Sequence, residues 1–487
     1  MVLAALLLVT GCFAAPQQDA GNGRLNVVMM QPPRSALSPF SDDAFKLSRL
    51  GIAETLVNLD ADGNPLPGLA ASWRQAGPVE WEFSLRPGVR FHDGTSLNAA
   101  VAVNALQRAA QAQPKPRILD GVELTVTEAG PDRVVVRTAT PDPMLPQRLS
   151  SPQLSVLATA AYQPDGTVNP AGAGTGPFVL TELRGSQGAS LERFNEHWNG
   201  PARAPGLDVS FVPDGAARAA ALRTGTGDIV EAIPASQAGL LEPGTFTEVP
   251  MPRTNTLYLN SRPGGVFGDP GLRAAVREAI DVAPIVSGPY ENRADIAQGL
   301  LGPAIPWSAQ RPPRSGATPP AAARGERITL ATFSDRAELP EVAAILEQQL
   351  ERAGFQVELV VREYSQIETD ALDGRFDAFI LSRATVLDSG DPAAYLRSDF
   401  ACDGGFNLSG LCDPAVDAAL REAEGEGDMR TRRAKILEAE REILRTDAAI
   451  PMLHERVVQG NAPGVQGAAF DPRERMLVQR DTRKGAE

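Results

Sequence analysis

Residues 69–99 read LAASWRQAGPVEWEFSLRPGVRFHDGTSLNA, and the middle of this stretch alternates between apolar and polar side chains. Trp81, Phe83 and Leu85 fall on one side of the alternation, which is the period-two pattern of a half-buried strand. Asn98 precedes the sequence AAVAVNALQRAA and can cap the first turn of a helix there. The stretch therefore predicts strand structure followed by a helix.

Further strands are predicted on both sides of this stretch. Residues 26–30 form a short apolar run, and residues 124–126 and 134–136 flank the turn sequence EAGPD as in a hairpin. In the second half, RITLATF is followed by a helical pattern over 340–353 that ends at Gly354, and then by FQVELVV and RFDAFIL. This strand-helix-strand order predicts a parallel sheet covered by helices.

Length and composition indicate a globular protein of more than one folding unit. The chain has 487 residues, of which 43% are hydrophobic and 22% charged, so two or three units are expected. A formal charge of -14 disfavours a nucleic-acid partner, which requires a basic surface. Residues 309–326 are rich in proline and predict a surface loop or linker. Two α/β regions joined by crossing segments predict two lobes with a cleft between them.

The N-terminus carries an export pattern. The apolar run from Val2 to Val9 is too short to span a membrane and has the length of a signal-peptide core. Residues 9–12, VTGC, look like a lipobox, which predicts a lipoprotein signal peptide over 1–12, lipid on Cys12 and a tether over 13–24. No Lys or Arg precedes the run, so we expect the native start further upstream. A plain secretory signal is the alternative.

Two further cysteines, Cys402 and Cys412, flank a glycine-containing loop. In an exported chain such an isolated pair is expected to form a disulfide. A metal-binding pair or two free thiols are the alternatives.

The sequence offers no convincing catalytic site. His92 and His197 lie in turn-like contexts, and His454 lacks the second histidine of a zinc-binding helix. The glycines of GAGTGP, residues 172–177, favour a tight turn over a phosphate-binding loop, because Pro177 interrupts the expected helix start. The sequence therefore predicts a binding protein, with no enzyme activity, cofactor or metal.

Long ordered motifs resemble a known family. Residues 69–99 closely resemble the peptide- and nickel-type solute-binding proteins of ABC importers, the extracytoplasmic bacterial family 5. Further similarities follow in the same order along the chain: GAGTGPFVL, LERFNEHWNGPARAPGLDVSFVPD, ALRTGTGDI and LYLNSRPGGVFGDPGLRAAVREAID. The resemblance covers nearly all of the mature chain.

The resemblance implies an α/β, bilobal periplasmic-binding-protein-like fold of type II, in the large peptide-binding subclass, with mixed sheets joined by a hinge. Lobe one is expected to contain 25–256 and 455–487, and lobe two 257–454. The segment TLYLN and the segment after Met452 are the expected crossings. In place of a helix usual in the family, this chain has the linker 309–326. The resemblance therefore does not determine the local structure of lobe two around this linker.

One carboxylate is the principal candidate for a ligand contact. Asp388 lies in SRATVLDSGDP, three residues before Asp391-Pro392. In the peptide-binding branch that the chain resembles, an aspartate at this position pairs with the α-ammonium of a bound peptide. In the nickel branch the position is not acidic and a histidine of the following loop serves the metal, whereas this chain has no histidine there. An amine-bearing ligand is therefore favoured over a metal, with a turn-capping role for Asp388 as the alternative.

Other candidates surround Asp388. Thr385 stands where many relatives have an aromatic residue. Arg383 can meet a ligand carboxylate or form an ion pair with the protein itself. From lobe one, the resemblance implies that Asp43, Ala44 and Phe45 offer backbone groups to the ligand.

The implied function is capture of oligopeptides or dipeptides between the lobes and delivery to a membrane permease with separate ATPase subunits. The protein is expected to be a monomer, lipid-anchored on the outer face of the cytoplasmic membrane in the cell envelope. A binder of a metal chelate of nickel or opine type, or of another small solute, is the second hypothesis. An exported enzyme is the third.

Overall fold

The structure is a computed structural model that describes residues 23–336, 338–386 and 389–485. The signal peptide and lipidation site predicted over 1–12, including Cys12, lie outside the described residues, as does nearly all of the tether. The predicted ligand contact Asp388 also lies outside them.

The strands include two long ones, at 246–259 and 449–461. In chain order they are β1 (Leu25–Met29), β2 (Val57–Leu59), β3 (Pro65–Pro67), β4 (Ala70–Gly77), β5 (Glu80–Leu85), β6 (Leu124–Glu128), β7 (Arg133–Thr138), β8 (Phe178–Leu183), β9 (Gly188–Arg193), β10 (Gly206–Phe211), β11 (Ile229–Ile233), β12 (Phe246–Leu259), β13 (Ala294–Ile296), β14 (Arg327–Phe333), β15 (Gln356–Arg362), β16 (Ala378–Ala384), β17 (Ala449–Asn461), β18 (Val465–Gln466) and β19 (Arg483–Lys484).

The described α-helices occur along the whole chain, and the longer ones lie mostly in its second half. They are α1 (Ala44–Arg49), α2 (Ala99–Gln111), α3 (Leu145–Arg148), α4 (Gly215–Arg223), α5 (Ala235–Ala238), α6 (Pro270–Ala279), α7 (Ala283–Ser287), α8 (Glu338–Arg352), α9 (Tyr364–Leu372), α10 (Ala393–Phe400), α11 (Pro414–Glu424) and α12 (Met429–Arg445). Among the described residues, none of these helices has the length and apolar character needed to cross a membrane.

The stretch that opened the sequence analysis forms part of an antiparallel sheet with the order β4-β5-β7-β6. Phe83 and Leu85 on β5 are buried, while Trp81 is half-buried against the same core. The Asn98 side chain accepts a hydrogen bond from the Val101 amide at 3.0 Å, which caps α2 as predicted. The predicted hairpin is also confirmed, because β6 and β7 pair antiparallel.

The predicted parallel arrangement of the second half is confirmed. β14 pairs in parallel with both β15 and β16, and α8 follows β14. Gly354 ends this helix with φ +104, a conformation that favours glycine. β16 begins three residues later than the sequence RFDAFIL predicts. The reason is that the Asp377 carboxylate accepts hydrogen bonds from the Thr329 amide and hydroxyl, each at 2.9 Å.

One long sheet extends through the whole molecule in the order β15-β14-β16-β12-β17-β11-β1-β10-β9-β8, with β13 added on β17. Its central strands are β12 and β17, which pair antiparallel with each other. On one side of this pair the sheet continues through β16, β14 and β15. On the other side it continues through β11, β1, β10, β9 and β8.

Two large apolar cores lie on either side of the central strands. One contains buried residues between Leu25 and Ile229 together with Leu477 and Val478. The other contains buried residues between Leu257 and Leu453. The molecule is therefore bilobal. We propose that lobe one comprises 25–256 and 455–487, and that lobe two comprises 257–454.

The proline-rich linker is irregular but held in place. Arg311 donates to the Glu440 carboxylate on α12, with Nε at 2.6 Å from Oε2. Arg314 pairs with Asp447 and donates to the Leu444 carbonyl at the end of the same helix. In the same lobe a disulfide joins Cys402 to Cys412, as predicted.

Candidate ligand-binding cleft

The two lobes touch along one rim of the cleft. On lobe one, the turn of residues 60–64 approaches lobe two so closely that a Cβ on Gly63 would lie 3.0 Å from the Gly390 carbonyl. Arg433 of α12 donates to Asn64 Oδ1 at 2.6 Å and to the Asp62 carbonyl at 3.0 Å. The lobes are therefore closed along this rim.

The segment that carries Asp388 is anchored immediately after that residue. Arg432 forms a buried ion pair with Asp391, with Nε at 2.6 Å from Oδ2. Asp391 Oδ1 also accepts from the Ala393 amide at 2.8 Å at the start of α10. Because a buried charge pair is expensive to break, the turn that follows Asp388 has a fixed position. The sequence showed Asp391 only as a motif marker, and gave no signal that Arg432 would pair with it.

Arg383 is engaged by the protein itself. Its Nε lies 2.8 Å from Asp399 Oδ2 and its Nη2 lies 2.7 Å from Asp399 Oδ1. The guanidinium also lies 4.2 Å from the ring centre of Phe406, a cation–π arrangement. Burial raises the pKa of Asp399 to about 6, and Arg383 opposes this shift. Of the two roles considered for Arg383, the structure displays an ion pair.

A second charge cluster lies where the lobes join. Arg336 Nη1 lies 2.5 Å from Glu455 Oε2 on β17 and 3.4 Å from Glu338 Oε1. Burial opposes ionisation of Glu455, but Arg336 and Arg253 hold the pKa of this carboxyl below its usual value. Glu455 in turn raises the pKa of Arg336. Both groups are therefore charged at neutral pH.

Thr385 is buried against the central strand. Its amide and its hydroxyl both lie within hydrogen-bonding distance of the Pro252 carbonyl, at 2.8 and 3.1 Å. A phenylalanine side chain at this position would lack the hydroxyl contact to the Pro252 carbonyl. The residue ties β16 to β12.

The lobe-one candidates form a self-contained turn. The buried Asp43 carboxylate accepts from the Ser35 amide at 2.7 Å and pairs with Lys46 at 3.0 Å. Burial opposes ionisation, but these donors lower the pKa of Asp43. The amides of Ala44 and Phe45 donate within the same turn, to the carbonyls of Ser41 and Asp42. The structure therefore places these three residues at the start of α1 with their amide donors in use.

The histidines have packing roles. His454 Nδ1 lies 2.9 Å from Thr254 Oγ1, and burial lowers the pKa of this imidazole to about 4. His92 Nε2 lies 2.9 Å from the Gly176 carbonyl, and burial likewise lowers its pKa. His197 Nδ1 lies 3.0 Å from the Gly200 carbonyl. Across residues 23–336, 338–386 and 389–485, no group of His, Cys, Asp and Glu side chains is arranged to hold a metal ion.

The glycines of GAGTGP form the tight turn that the sequence favours. A Cβ on Gly174 would lie 2.0 Å from the Ile52 carbonyl, and one on Gly176 would lie 2.3 Å from the Gly51 carbonyl. Both positions therefore require glycine for close packing against residues 51–52.

Arg253 is a further charged residue at the junction of the lobes that sequence reasoning missed. It lies on β12 opposite Ala384 of β16 and is half-buried. Within the described part of the chain it forms no hydrogen bond or ion pair through its side chain. No local sequence pattern marks such a residue, because its surroundings come from strands far apart in the chain.

Two lobes that meet at a charged junction and are joined by paired central strands are the architecture of a protein that binds a ligand between its lobes. Residues 64–407 match the model of bacterial extracellular solute-binding proteins, family 5 Middle. The chain belongs to this family of solute-binding proteins.

Individual relatives differ in the solute that they bind. The chain is 27% identical to the nickel-binding periplasmic protein of Escherichia coli strain K12, over 79% of this chain and 80% of that protein. It is 25% identical to the glutathione-binding protein GsiB of Pectobacterium atrosepticum, over 85% and 84%. The structure of NikA from Brucella suis in complex with Fe(III)-EDTA aligns with a TM-score of 0.82 at 22% identity, over 94% of this chain and 99% of that chain. The bilobal fold is thus shared with solved structures.

Proposed function

We propose that this protein is the substrate-binding component of an ABC importer, which captures oligopeptides or dipeptides between its lobes and delivers them to a membrane permease with its ATPase subunits. The observation that carries the proposal is the anchored segment after Asp388. Its turn is fixed by Arg432 and Asp391 on one lobe and lies against Gly63 on the other. A ligand held by this segment contacts both lobes, so binding favours the closed arrangement.

In this proposal the carboxylate of Asp388 pairs with the α-ammonium of the peptide. A buried ammonium requires a fixed counter-charge, because an unpaired charge in a closed cleft costs several kcal/mol. The similarity to a glutathione-binding relative supports a peptide ligand, since glutathione is a tripeptide with a free α-ammonium.

The test is calorimetric titration with trialanine and reduced glutathione. Asp388→Asn is expected to weaken binding of the peptide about 100-fold, because a charge-assisted hydrogen bond is lost. The matched control is Asp403→Asn, since Asp403 is an exposed carboxylate of a nearby loop. Affinity that is unchanged in Asp388→Asn refutes the assigned contact, and failure of every peptide to bind refutes the peptide class.

The second candidate is a carboxylate-rich metal chelate. Arginines crowd the junction of the lobes, and the relatives include a nickel-binding protein and a structure with Fe(III)-EDTA. Native mass spectrometry of the purified protein distinguishes the two classes by the mass of any co-purified guest.

We further propose that lipid on Cys12 holds the protein, as a monomer, on the outer face of the cytoplasmic membrane. Lipid attachment keeps the binder near its permease. Mass spectrometry of the membrane-extracted protein and of a Cys12→Ser variant tests this anchor, and size-exclusion chromatography with light scattering tests the monomer.

A further inference from the structure

Among the residues that the structure describes, Arg253 differs from the neighbouring arginines in forming no side-chain hydrogen bond or ion pair. Arg383 is held by Asp399, and Arg336 is held by Glu455. The charged groups that act on Arg253 are Arg336, Glu474, Glu455 and Arg383, yet none of them forms an ion pair with it. Burial is the main cause that lowers the pKa of Arg253, and repulsion from Arg336 is the second. A guanidinium nevertheless keeps its charge in proteins, so this site has a positive charge that no described carboxylate contacts directly.

The backbone around Arg253 is irregular on one side of its strand. Pro250 and Pro252 lack the amide hydrogen that a central strand donates to its neighbour. The ladder between β12 and β17 is correspondingly irregular between Pro250 and Thr254. On the other side, β12 keeps its register with β16, where Arg253 pairs with Ala384. An irregularity of this kind can re-aim a side chain away from regular pairing.

The position of Arg253 is central to both lobes. It lies on the strand that crosses between them, beside Thr385 at the end of β16, three residues before Asp388. A ligand group bound to Arg253 would therefore keep this contact when either lobe moves.

We infer that Arg253 binds a carboxylate of the transported solute, which makes the solute a small molecule that carries at least one free carboxylate. The inference rests on the proposed function in taking the cleft as the binding site. The two N–H groups of a guanidinium face match the two oxygens of a carboxylate. Glu455 and Glu474 lie close enough to act on Arg253, so a singly charged carboxylate suits the site better than a doubly charged phosphate.

A first experiment tests the anion site without any peptide. Thermal unfolding of the full chain is measured in succinate and in chloride at equal ionic strength. Succinate is expected to raise the Tm of the wild type and to leave the Tm of Arg253→Gln unchanged. An equal rise in both proteins overturns the inference.

The same measurement excludes a hidden structural partner. If Arg253 served the fold by pairing with Glu474 through a small side-chain rotation, Arg253→Gln and Glu474→Gln would both lower the Tm in chloride. We expect no loss of Tm in Arg253→Gln, and a loss comparable to that of Arg456→Gln overturns the inference. Arg456 is the matched control, because it is an arginine of the same central strands that pairs with Asp295 and Glu248.

A second experiment identifies the recognised group. Trialanine and trialanine amide are titrated into the wild type, Arg253→Gln and Arg253→Lys. Amidation is expected to weaken binding to the wild type about 10- to 100-fold, because a hydrogen-bonded charge is removed. The penalty should vanish in Arg253→Gln and be smaller in Arg253→Lys. An equal penalty in the wild type and Arg253→Gln assigns the carboxylate to another residue and overturns the inference. If neither peptide binds the wild type, the proposed peptide function fails, while the succinate measurement still decides the role of Arg253.

Discussion

Arg383 and Asp399 form a two-point ion pair across the wall of the cleft, with Nε–Oδ2 at 2.8 Å and Nη2–Oδ1 at 2.7 Å. Asp399 is fully buried, whereas Arg383 keeps some contact with solvent. The pair therefore places an ionisable group inside lobe two whose charge depends on pH.

Stability should fall with rising pH through this group. Burial raises the pKa of Asp399 from 3.8 to about 6 in the folded protein. Because the folded state holds the proton more tightly, the stabilisation is complete below about pH 4 and is lost as the pH rises through about 6. We expect the wild type to lose about 3 kcal/mol relative to Asp399→Asn between these limits. Urea unfolding across the range measures the difference, and parallel pH profiles of the two proteins would contradict the assignment.

The buried pair of Arg432 and Asp391 should be essential to stability. Arg432→Met leaves Asp391 buried without a counter-charge and is expected to lower the free energy of unfolding by about 3 to 5 kcal/mol. The control is Arg421→Met on α11, where an exposed arginine lies 4.0 Å from Asp417 and contributes about 0.5 kcal/mol or less. Equal losses in the two variants would show that the pair does not anchor the turn.

Closure of the lobes should depend on Arg433. Its hydrogen bonds to Asn64 and to the Asp62 carbonyl exist only while the lobes touch. Removing them in Arg433→Ala should shift the population toward the open form and weaken trialanine binding about 5- to 10-fold. Small-angle scattering should show a larger radius of gyration, whereas Arg430→Ala, on the exposed side of the same helix, should leave both quantities unchanged. A compact Arg433→Ala with full affinity would exclude this role.

The disulfide should stabilise lobe two through the chain that it closes. Cys402 and Cys412 are separated by ten positions. Closure of a loop of this length removes about 3 kcal/mol of freedom from the unfolded chain. The double variant Cys402→Ser/Cys412→Ser should therefore have a free energy of unfolding lower by about 3 kcal/mol, and its urea midpoint should fall accordingly. Addition of a reductant should destabilise the wild type and leave the double variant unaffected.

Local patterns predicted what local forces determine. Asn98 as a helix cap, the hairpin of β6 and β7, and Gly354 as a helix end all depend on neighbours within a few residues, and the structure confirms each.

The charged interior could not be predicted in this way. Arg432 pairs with a carboxylate 41 positions away, and Arg336 with one 119 positions away. The charged groups around Arg253 come from four separate places in the chain, at residues 336, 383, 455 and 474. A pattern along the chain indicates which residues are charged, but only the packed sheet decides which charges are paired. The family resemblance supplied the candidate Asp388, whose contact remains a prediction.

The continuous order of paired strands from β15 to β8 has a mechanical consequence. The connections between the lobes are not two independent segments. β12 and β17 are hydrogen-bonded to each other and to strands of both lobes. We therefore expect a change in the angle between the lobes to alter the twist of this shared sheet.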